Sequence, residues 1–490
     1  MNDLYISLDQ GTTSSRTLLF DDQFNLIDKS QQEFRQILKN EGWVEHNPEE
    51  ILSSQIETLR EIVSRIEADK KLIAGIANQR ETIIAWDKST GKSFYNAIVW
   101  QDTRTNEFCT ELKNNNDIRE KIHRKTGLIV DSYFSASKMK WILDNVPDAK
   151  IAHENDQLFF GTVDSWLIWN LTEDKNHFTD VSNASRTMLM NIENLDWDEE
   201  LLSLFGIKKS ALPKICSNDH YFGSMLIEDK EIELRSVAGD QQAALFGQQC
   251  FTAGQAKNTY GTGCFLLMNT GKITFSENGL LSTVGWQIND ETTYALEGSV
   301  FVAGSGIQWL RDQLMFFEEA SESEQMALSS EESDLVFVPA FAGLGAPHWD
   351  MTAKGMLIGI TRDTTKAEIT RAMLESIAFQ TKDVIKAMEM DAQTEIDHLL
   401  VDGGASLNKY LIQFQSEIIQ KEIFKPSETE ATAKGVAMMA AISAGKKNFN
   451  DFKNQQEFEN IYSPTIPLAT VEKKYHLWLE ATNRCKNWPA

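Results

Sequence analysis

Several things are scarce or missing in this sequence, and each absence narrows the field. No run of about 18 apolar residues occurs, so no transmembrane helix is expected. The five cysteines (Cys109, Cys216, Cys250, Cys264, Cys485) are odd in number and scattered. None of them pairs at zinc or redox spacing, which excludes a disulfide framework and points to free thiols in a reducing compartment. Basic residues are in deficit: 47 Lys and Arg face 72 Asp and Glu, a formal net charge of −25. A chain so acidic repels polyanions, so neither nucleic acid nor an anionic membrane surface is an expected partner. Met1-Asn2-Asp3-Leu4-Tyr5 lacks the basic start and apolar run of a secretion signal, and a cytoplasmic location is expected. The eight histidines form no metal-ligand pattern. Neither a Walker motif nor a GxGxxG loop occurs, which disfavours P-loop and protein-kinase folds. Long linkers and low-complexity tracts are missing too.

The chain has 490 residues, 42% apolar and 24% charged. At roughly 150 residues per domain this allows about three globular domains or two large ones. Leu4, Ile6 and Leu8 alternate as in a half-buried strand, Gly11 to Ser15 reads as a turn, and Thr17 to Phe20 as a returning strand, with a third around Leu26 and Ile27. Asn47, Pro48 and Glu50 predict a helix start with a capping box, and Leu52, Ile56, Leu59, Val63 and Ile66 predict its apolar stripe. A buried strand, Leu72 to Ala77, leads into Asn78-Gln79-Arg80-Glu81. Strands and helices mixed in this order predict a layered α/β lobe, with ligands just past the strand ends. Near the middle, Val237-Ala238-Gly239-Asp240 ends an apolar segment before a helix. Lys257 to Leu267 then repeats the opening design of strand, Gly/Thr turn and strand, which predicts two similar halves divided near Gly247 to Gly254. Thr365 and Glu368 predict a second capping box, and Leu399 to Ala405 a strand that delivers two glycines into a turn.

Three Gly-rich turns carry candidate chemistry: Asp9-Gln10-Gly11-Thr12-Thr13-Ser14, Gly261-Thr262-Gly263 and Asp402-Gly403-Gly404. Glycine lets backbone N–H groups approach phosphate, and Thr or Ser hydroxyls add donors. Each turn alone is also compatible with a plain hairpin. Asp9 and Arg16 flank the first as a metal carboxylate and a phosphate cation. Asp240 has two readings, a helix N-cap or a carboxylate that takes a proton from an attacking hydroxyl. Arg80-Glu81 is either a surface pair or a donor–acceptor set for polyol oxygens. Trp100 and Phe265 are either core residues or the apolar wall of such a site.

The blocks Asp9 to Arg16, Asn78 to Thr82, Asn96 to Gln101, Gly239 to Gly247, Asn258 to Cys264 and Gly343 to Pro347, taken in order, closely resemble the FGGY carbohydrate kinase family. The resemblance implies two ribonuclease-H-like lobes of the actin and hexokinase type around a central cleft. Residues 1–250 would form the lobe for glycerol and phosphate, and 251–490 the lobe for nucleotide. It also implies ATP-dependent, Mg²⁺-assisted phosphorylation of glycerol, since the Asn-Gln-Arg-Glu block points to glycerol rather than five- or six-carbon sugars. Glycerol is then expected at Arg80, Glu81, Tyr133, Asp240 and Gln241, with Trp100 and Phe265 as the wall. Nucleotide is expected at Thr12, Thr13, Ser14 and Arg16 from one lobe and at Thr262, Gly304, Gln308, Gly404 and Asn408 from the other. Asp240 matches the general base, and Asp9 with Asp240 the metal-facing carboxylates. A homodimer or homotetramer is implied as well. One stretch departs from the pattern: where some members carry a Gly- and Arg-containing loop for fructose 1,6-bisphosphate, this chain reads Ile227-Glu228-Asp229-Lys230-Glu231-Ile232-Glu233-Leu234-Arg235. It has no glycine and four acidic residues, so little inhibition by that sugar is expected.

Overall fold

Two mixed sheets, of six and seven strands, organise the chain, and both are built around the same centre, an antiparallel hairpin continued by two parallel strands. The computed structural model describes residues 3–67, 69–427, 430–453 and 457–488. The first sheet contains β1 (Leu4–Gln10), β2 (Ser14–Phe20), β3 (Leu26–Glu33), β4 (Leu72–Asn78), β5 (Gly223–Ile227) and β6 (Lys230–Gly239), arranged β3-β2-β1-β4-β6-β5. The hairpin β1–β2 is antiparallel, whereas β4 runs parallel to β1 and β6 parallel to β4. The second sheet contains β7 (Ala256–Tyr260), β8 (Cys264–Gly271), β9 (Leu281–Ile288), β10 (Glu291–Val300), β11 (His398–Asp402), β12 (Glu422–Pro426) and β13 (Phe458–Tyr462), arranged β9-β10-β8-β7-β11-β12-β13. Again an antiparallel hairpin, β7–β8, leads into parallel neighbours, β11 beside β7 and β12 beside β11. The repeat read from the two Gly/Thr turns thus extends to the centre of each sheet, four strands in the same arrangement.

The first helix, α1 (Pro48–Ser64), starts as expected, with the Asn47 side chain accepting from the N–H of Glu49. Glu50 does not complete a capping box. Its carboxylate instead accepts from the backbone N–H and the guanidinium of Arg35, which lies alongside in the folded chain. The buried stripe is also rotated from the expected one: Ile51, Thr58, Leu59, Ile62 and Val63 are buried, while Leu52 and Ile56 sit at its margin. Polar Ser54, Gln55 and Thr58 share that stripe because they bond to Ser15, Arg16 and Thr17 of β2, a match that apolar periodicity does not register. The second capping box forms as expected, with Thr365 and Glu368 opening α4 (Lys366–Ala392).

The lobes are joined by a pair of helices that exchange partners. From the end of β6, α2 (Asp240–Gly247) reaches toward the second sheet, and after α5 (Lys409–Ile419) and β12, α6 (Ala431–Ser443) packs on β1, β4 and β6 of the first. Where they cross, Gly247 faces the carbonyl of Ala431, and Gly435 faces the carbonyl of Ala243. A shared apolar core surrounds the crossing, drawing Tyr5, Ile73 and Ala238 from one sheet and Leu267, Trp286 and Leu400 from the other. Because α2 leaves a strand of the first sheet and α6 a strand of the second, their crossing ties the two sheets together.

Candidate active site

Register alone brings the first group of site residues together. Gln10 of β1 pairs with Asn78 of β4, and Asn78 with Gly239 of β6, so three parallel strands end side by side. The segments that follow are the Gly11 to Ser14 turn, Gln79-Arg80-Glu81 and Asp240. Asp240 is the first residue of α2, behind an N-cap at Gly239, and its carboxylate accepts from the N–H of the next residue, Gln241, at 2.7 Å. It therefore is not a capping side chain, and 29% of it remains exposed in the cleft. Partial burial beside Asp9 pushes its pKa above the ordinary carboxylate range, against the pull of Arg80 and Lys257.

Arg80 and Glu81 are not a surface pair: they are only 3% and 1% exposed. Nor do they bond to each other. Arg80 forks onto Glu297 of β10 at 2.5 and 3.0 Å, and its Nε lies 3.3 Å from Asp240. Glu81, held at φ 60 in the left-handed region, accepts from Nε of Arg186 at 2.6 Å. Such a backbone conformation costs a non-glycine residue about 1 kcal/mol or more and persists only where surroundings impose it. Here Ser135 donates to the Glu81 carbonyl at 2.9 Å and Arg186 holds the carboxylate.

The structure brings Trp100, Tyr133 and Phe265 into one aromatic cluster. The Trp100 ring stands edge-on to Tyr133 at 5.4 Å and to Phe265 at 6.2 Å, so the wall spans both lobes. The Trp100 indole donates to the Thr12 hydroxyl at 3.0 Å, which ties the wall to the first Gly-rich turn. Tyr133 rides on a loop clamped by buried Lys138, whose ammonium donates to the carbonyls of Ser132, Tyr133 and Phe134. Gln241 accepts from the ammonium of Lys257, a buried residue of β7.

In the first turn Thr12 is half-buried, Thr13 exposed and Ser14 nearly buried, and the N–H of Gly11 donates to the Ser14 carbonyl at 2.9 Å. Arg16 is paired with both Asp9 and Glu430. Asp9 is buried, and its pKa is raised by that burial despite the Arg16 contact.

The second group lines a cavity of about 420 Å³ in the other lobe. Thr262, Gly304, Gln308, Gly404 and Asn408 all border it, joined by apolar Ile307, Leu374, Ile377 and Leu411. Two close approaches build its rim. Gly403, at φ 86, brings the β11 turn against the backbone of Tyr260, where a Cβ would lie 2.5 Å from the carbonyl oxygen. The N–H groups of Gly304 and Ser305 donate to the carbonyls of Gly261 and Thr262, pinning the start of α3 (Gly304–Asp312) to the second Gly-rich turn. An apolar cavity with a few polar rim groups suits a nucleoside.

Sequence reasoning missed Glu297, Arg186 and Lys257. A signal existed for the first: Glu297 is the lone acid in the buried run Ala295 to Val300, and a fully buried carboxylate needs a cationic partner. Arg80 and Arg186 together hold Glu297 down to about 2 although burial opposes its charge.

Comparison with known proteins fits this architecture. The model of the FGGY family of carbohydrate kinases matches in two parts, its N-terminal domain over residues 4–247 and its C-terminal domain over 256–444. This chain belongs to the FGGY family of carbohydrate kinases. It is 50% identical to a glycerol kinase of Fusobacterium nucleatum over 491 residues, covering 99% of each chain. It is 49% identical to glycerol kinase 2 of Thermotoga maritima over 490 residues, again covering 99% of each. Its structure resembles that of Plasmodium falciparum glycerol kinase with ADP, with a TM-score of 0.93, 36% identity and coverage of 99% of this chain and 98% of the other.

Proposed function

We propose that this FGGY kinase transfers the γ-phosphoryl group of ATP to a terminal hydroxyl of glycerol, giving sn-glycerol 3-phosphate. One observation carries the reading. Buried Arg80 and Glu81 lie near Tyr133 of the Trp100–Tyr133–Phe265 cluster, and Asp240 lies 3.3 Å from Arg80, a set of donors and acceptors beside aromatic rings that suits a short polyol, at the strand ends that also carry a phosphate-type turn. Glycerol hydroxyls would bond to Arg80, Glu81, Tyr133 and Gln241, while the carbons lie against Trp100 and Phe265. The nucleoside of ATP would fill the cavity bordered by Thr262, Gly304, Gln308, Gly404 and Asn408, and its phosphates would reach the Thr12-Thr13-Ser14 turn and Arg16. Residues 1–250 thus serve the polyol and phosphates, and residues 251–490 the nucleoside.

Asp240 orients the attacking hydroxyl and accepts its proton late, as a loose phosphoryl-transfer transition state permits. An alcohol is too weak an acid to be deprotonated early by a carboxylate, so orientation comes first. Asp9 and Asp240 are the carboxylates that would face Mg²⁺. Asp9 lies near enough to raise the pKa of Asp240, a repulsion that a cation would relieve. No cluster of three His, Cys, Asp or Glu residues occurs among the described residues, which fits an ion that takes its other ligands from phosphate and water. The bound ion would neutralise charge developing on the phosphates. A cytoplasmic homodimer or homotetramer completes the reading.

An ATP-coupled assay against a polyol and ketose panel tests the substrate. Glycerol is expected to give the highest kcat/KM, and preference for a pentulose or erythritol would refute the assignment. Insensitivity to fructose 1,6-bisphosphate is a second expected result. The acidic stretch is a tight hairpin in which only Glu228 and Asp229, at φ 49 and 59, connect β5 to β6. So short a turn offers no loop to wrap a bisphosphate, and its charge repels one. Inhibition in titrations with the sugar, removed by altering 227–235, would contradict this.

A further inference from the structure

We propose that Glu297 and Arg186 are positioning residues of the glycerol site: Glu297 keeps the Arg80 fork from closing on Asp240, and Arg186 links that restraint to Glu81. The inference deepens the glycerol reading and rests on it. Four side chains alternate in sign along one chain of contacts, Arg80, Glu297, Arg186 and Glu81. Arg80 donates to both oxygens of Glu297, Glu297 accepts from Nη2 of Arg186 at 3.0 Å, and Nε of Arg186 reaches Glu81. All four are buried. Two cations and two anions balance along this chain of contacts, which is neutral without a ligand.

Hydrogen-bond accounting shows what this chain of contacts does to Arg80. A guanidinium has five N–H groups. Nη1 serves Glu297 and Gln242, at 2.5 and 3.2 Å, and one N–H of Nη2 serves Glu297 at 3.0 Å. Nε lies 3.3 Å from Asp240. Arg80 therefore presents its narrow Nε edge to Asp240, while its wide fork is occupied elsewhere. Were that fork released, the nearest carboxylate left for it would be Asp240, the group that must stay available to the hydroxyl. Bidentate pairing is the stronger arrangement for Arg with a carboxylate, so release would end in capture. Arg186 adds an independent sign of a ligand site: its Nη1 is buried with no partner among the described residues. Such a buried donor is costly unless a ligand oxygen meets it.

Glu297 cannot drift to accommodate. It stands in β10 between β8 and β9, paired with Leu267 on one side and Leu281 on the other. It comes from the second sheet, whereas Arg80 follows a strand of the first. The orientation of the polyol-binding arginine is thus set across the lobe boundary.

The test is steady-state kinetics on the full-length protein with Glu297→Gln, which keeps the shape and removes the charge. The expected result is a rise in glycerol KM of about tenfold or more together with a lower kcat, while ATP KM stays within about twofold; a change of this size corresponds to a free energy of roughly 1.4 kcal/mol. Glu297→Asp should recover part of the loss. Arg186→Lys, which keeps the charge but not the fork, should show the same split, and the double variant should lose less than the product of the two single effects. Unchanged glycerol parameters in Glu297→Gln, or parallel increases in glycerol and ATP KM, would overturn the proposal. If Glu297→Gln fails to fold, Arg186→Lys decides by the same criterion. A wild-type protein that does not phosphorylate glycerol would instead refute the underlying functional reading.

Discussion

Asp240→Asn is expected to lower kcat by at least a hundredfold while leaving glycerol KM within a few-fold of the wild type. The amide keeps the size of the side chain and can still hydrogen-bond the hydroxyl, but it cannot accept the proton as phosphoryl transfer completes. Loss of a general base typically costs about 10²–10⁴ in rate, or roughly 3–5 kcal/mol of transition-state stabilisation. The carboxylate is 29% exposed, accepts one backbone N–H, from Gln241, and faces the Nε edge of Arg80 at 3.3 Å, an arginine whose fork stays anchored on Glu297 when the charge is removed. The unfolding midpoint should therefore hold, and steady-state kinetics with a thermal melt reads both quantities. A variant that turns over at the wild-type rate would remove Asp240 from the mechanism.

Gly435→Ala should destabilise the protein by about 3 kcal/mol, near the upper end of the usual cost of overpacking a close contact. A Cβ there would lie 1.9 Å from the Ala243 carbonyl oxygen and 3.0 Å from the Gly247 nitrogen. Both are backbone atoms, so no flexible side chain can move aside and α2 must separate from α6. Because α2 begins at Asp240, separation also shifts the proposed general base relative to the second lobe. Denaturant unfolding should show the loss, and kcat measured under folding conditions should fall with it. An unchanged midpoint would mean that the two helices part at no cost, contrary to the crossing described above.

Much of the site was legible in the sequence because its parts are local. A Gly/Thr turn between two alternating apolar segments is encoded within about ten residues, and β1–β2 and β7–β8 both formed where that pattern stood. Thr365 and Glu368 made their capping box for the same reason. The Asn47 cap also formed, but Glu50 found Arg35 instead of its own helix end, a choice made by a neighbour 15 residues away. The stripe of α1 was misjudged where Gln55 and Thr58 turn inward to meet β2, since polar residues at a buried face do not register as apolar periodicity.

Charge pairing was the least legible feature. Adjacent Arg80 and Glu81 read as a natural pair, yet Arg80 joins Glu297, 217 positions later, and Glu81 joins Arg186, 105 positions later. Coulomb energy and desolvation depend on distance in space and on burial, and neither is written in sequence order. The sequence by itself determined the acidic, cysteine-scattered composition, the Gly-rich turns, the helix starts at Pro48 and Lys366, and the residue types able to hold a polyol and a nucleotide. Only the tertiary structure decided which carboxylate restrains Arg80, why Asp240 is left free of a capping role, and how the crossing of α2 and α6 ties the two sheets together. Each of those depends on contacts between segments that only the folded chain brings together.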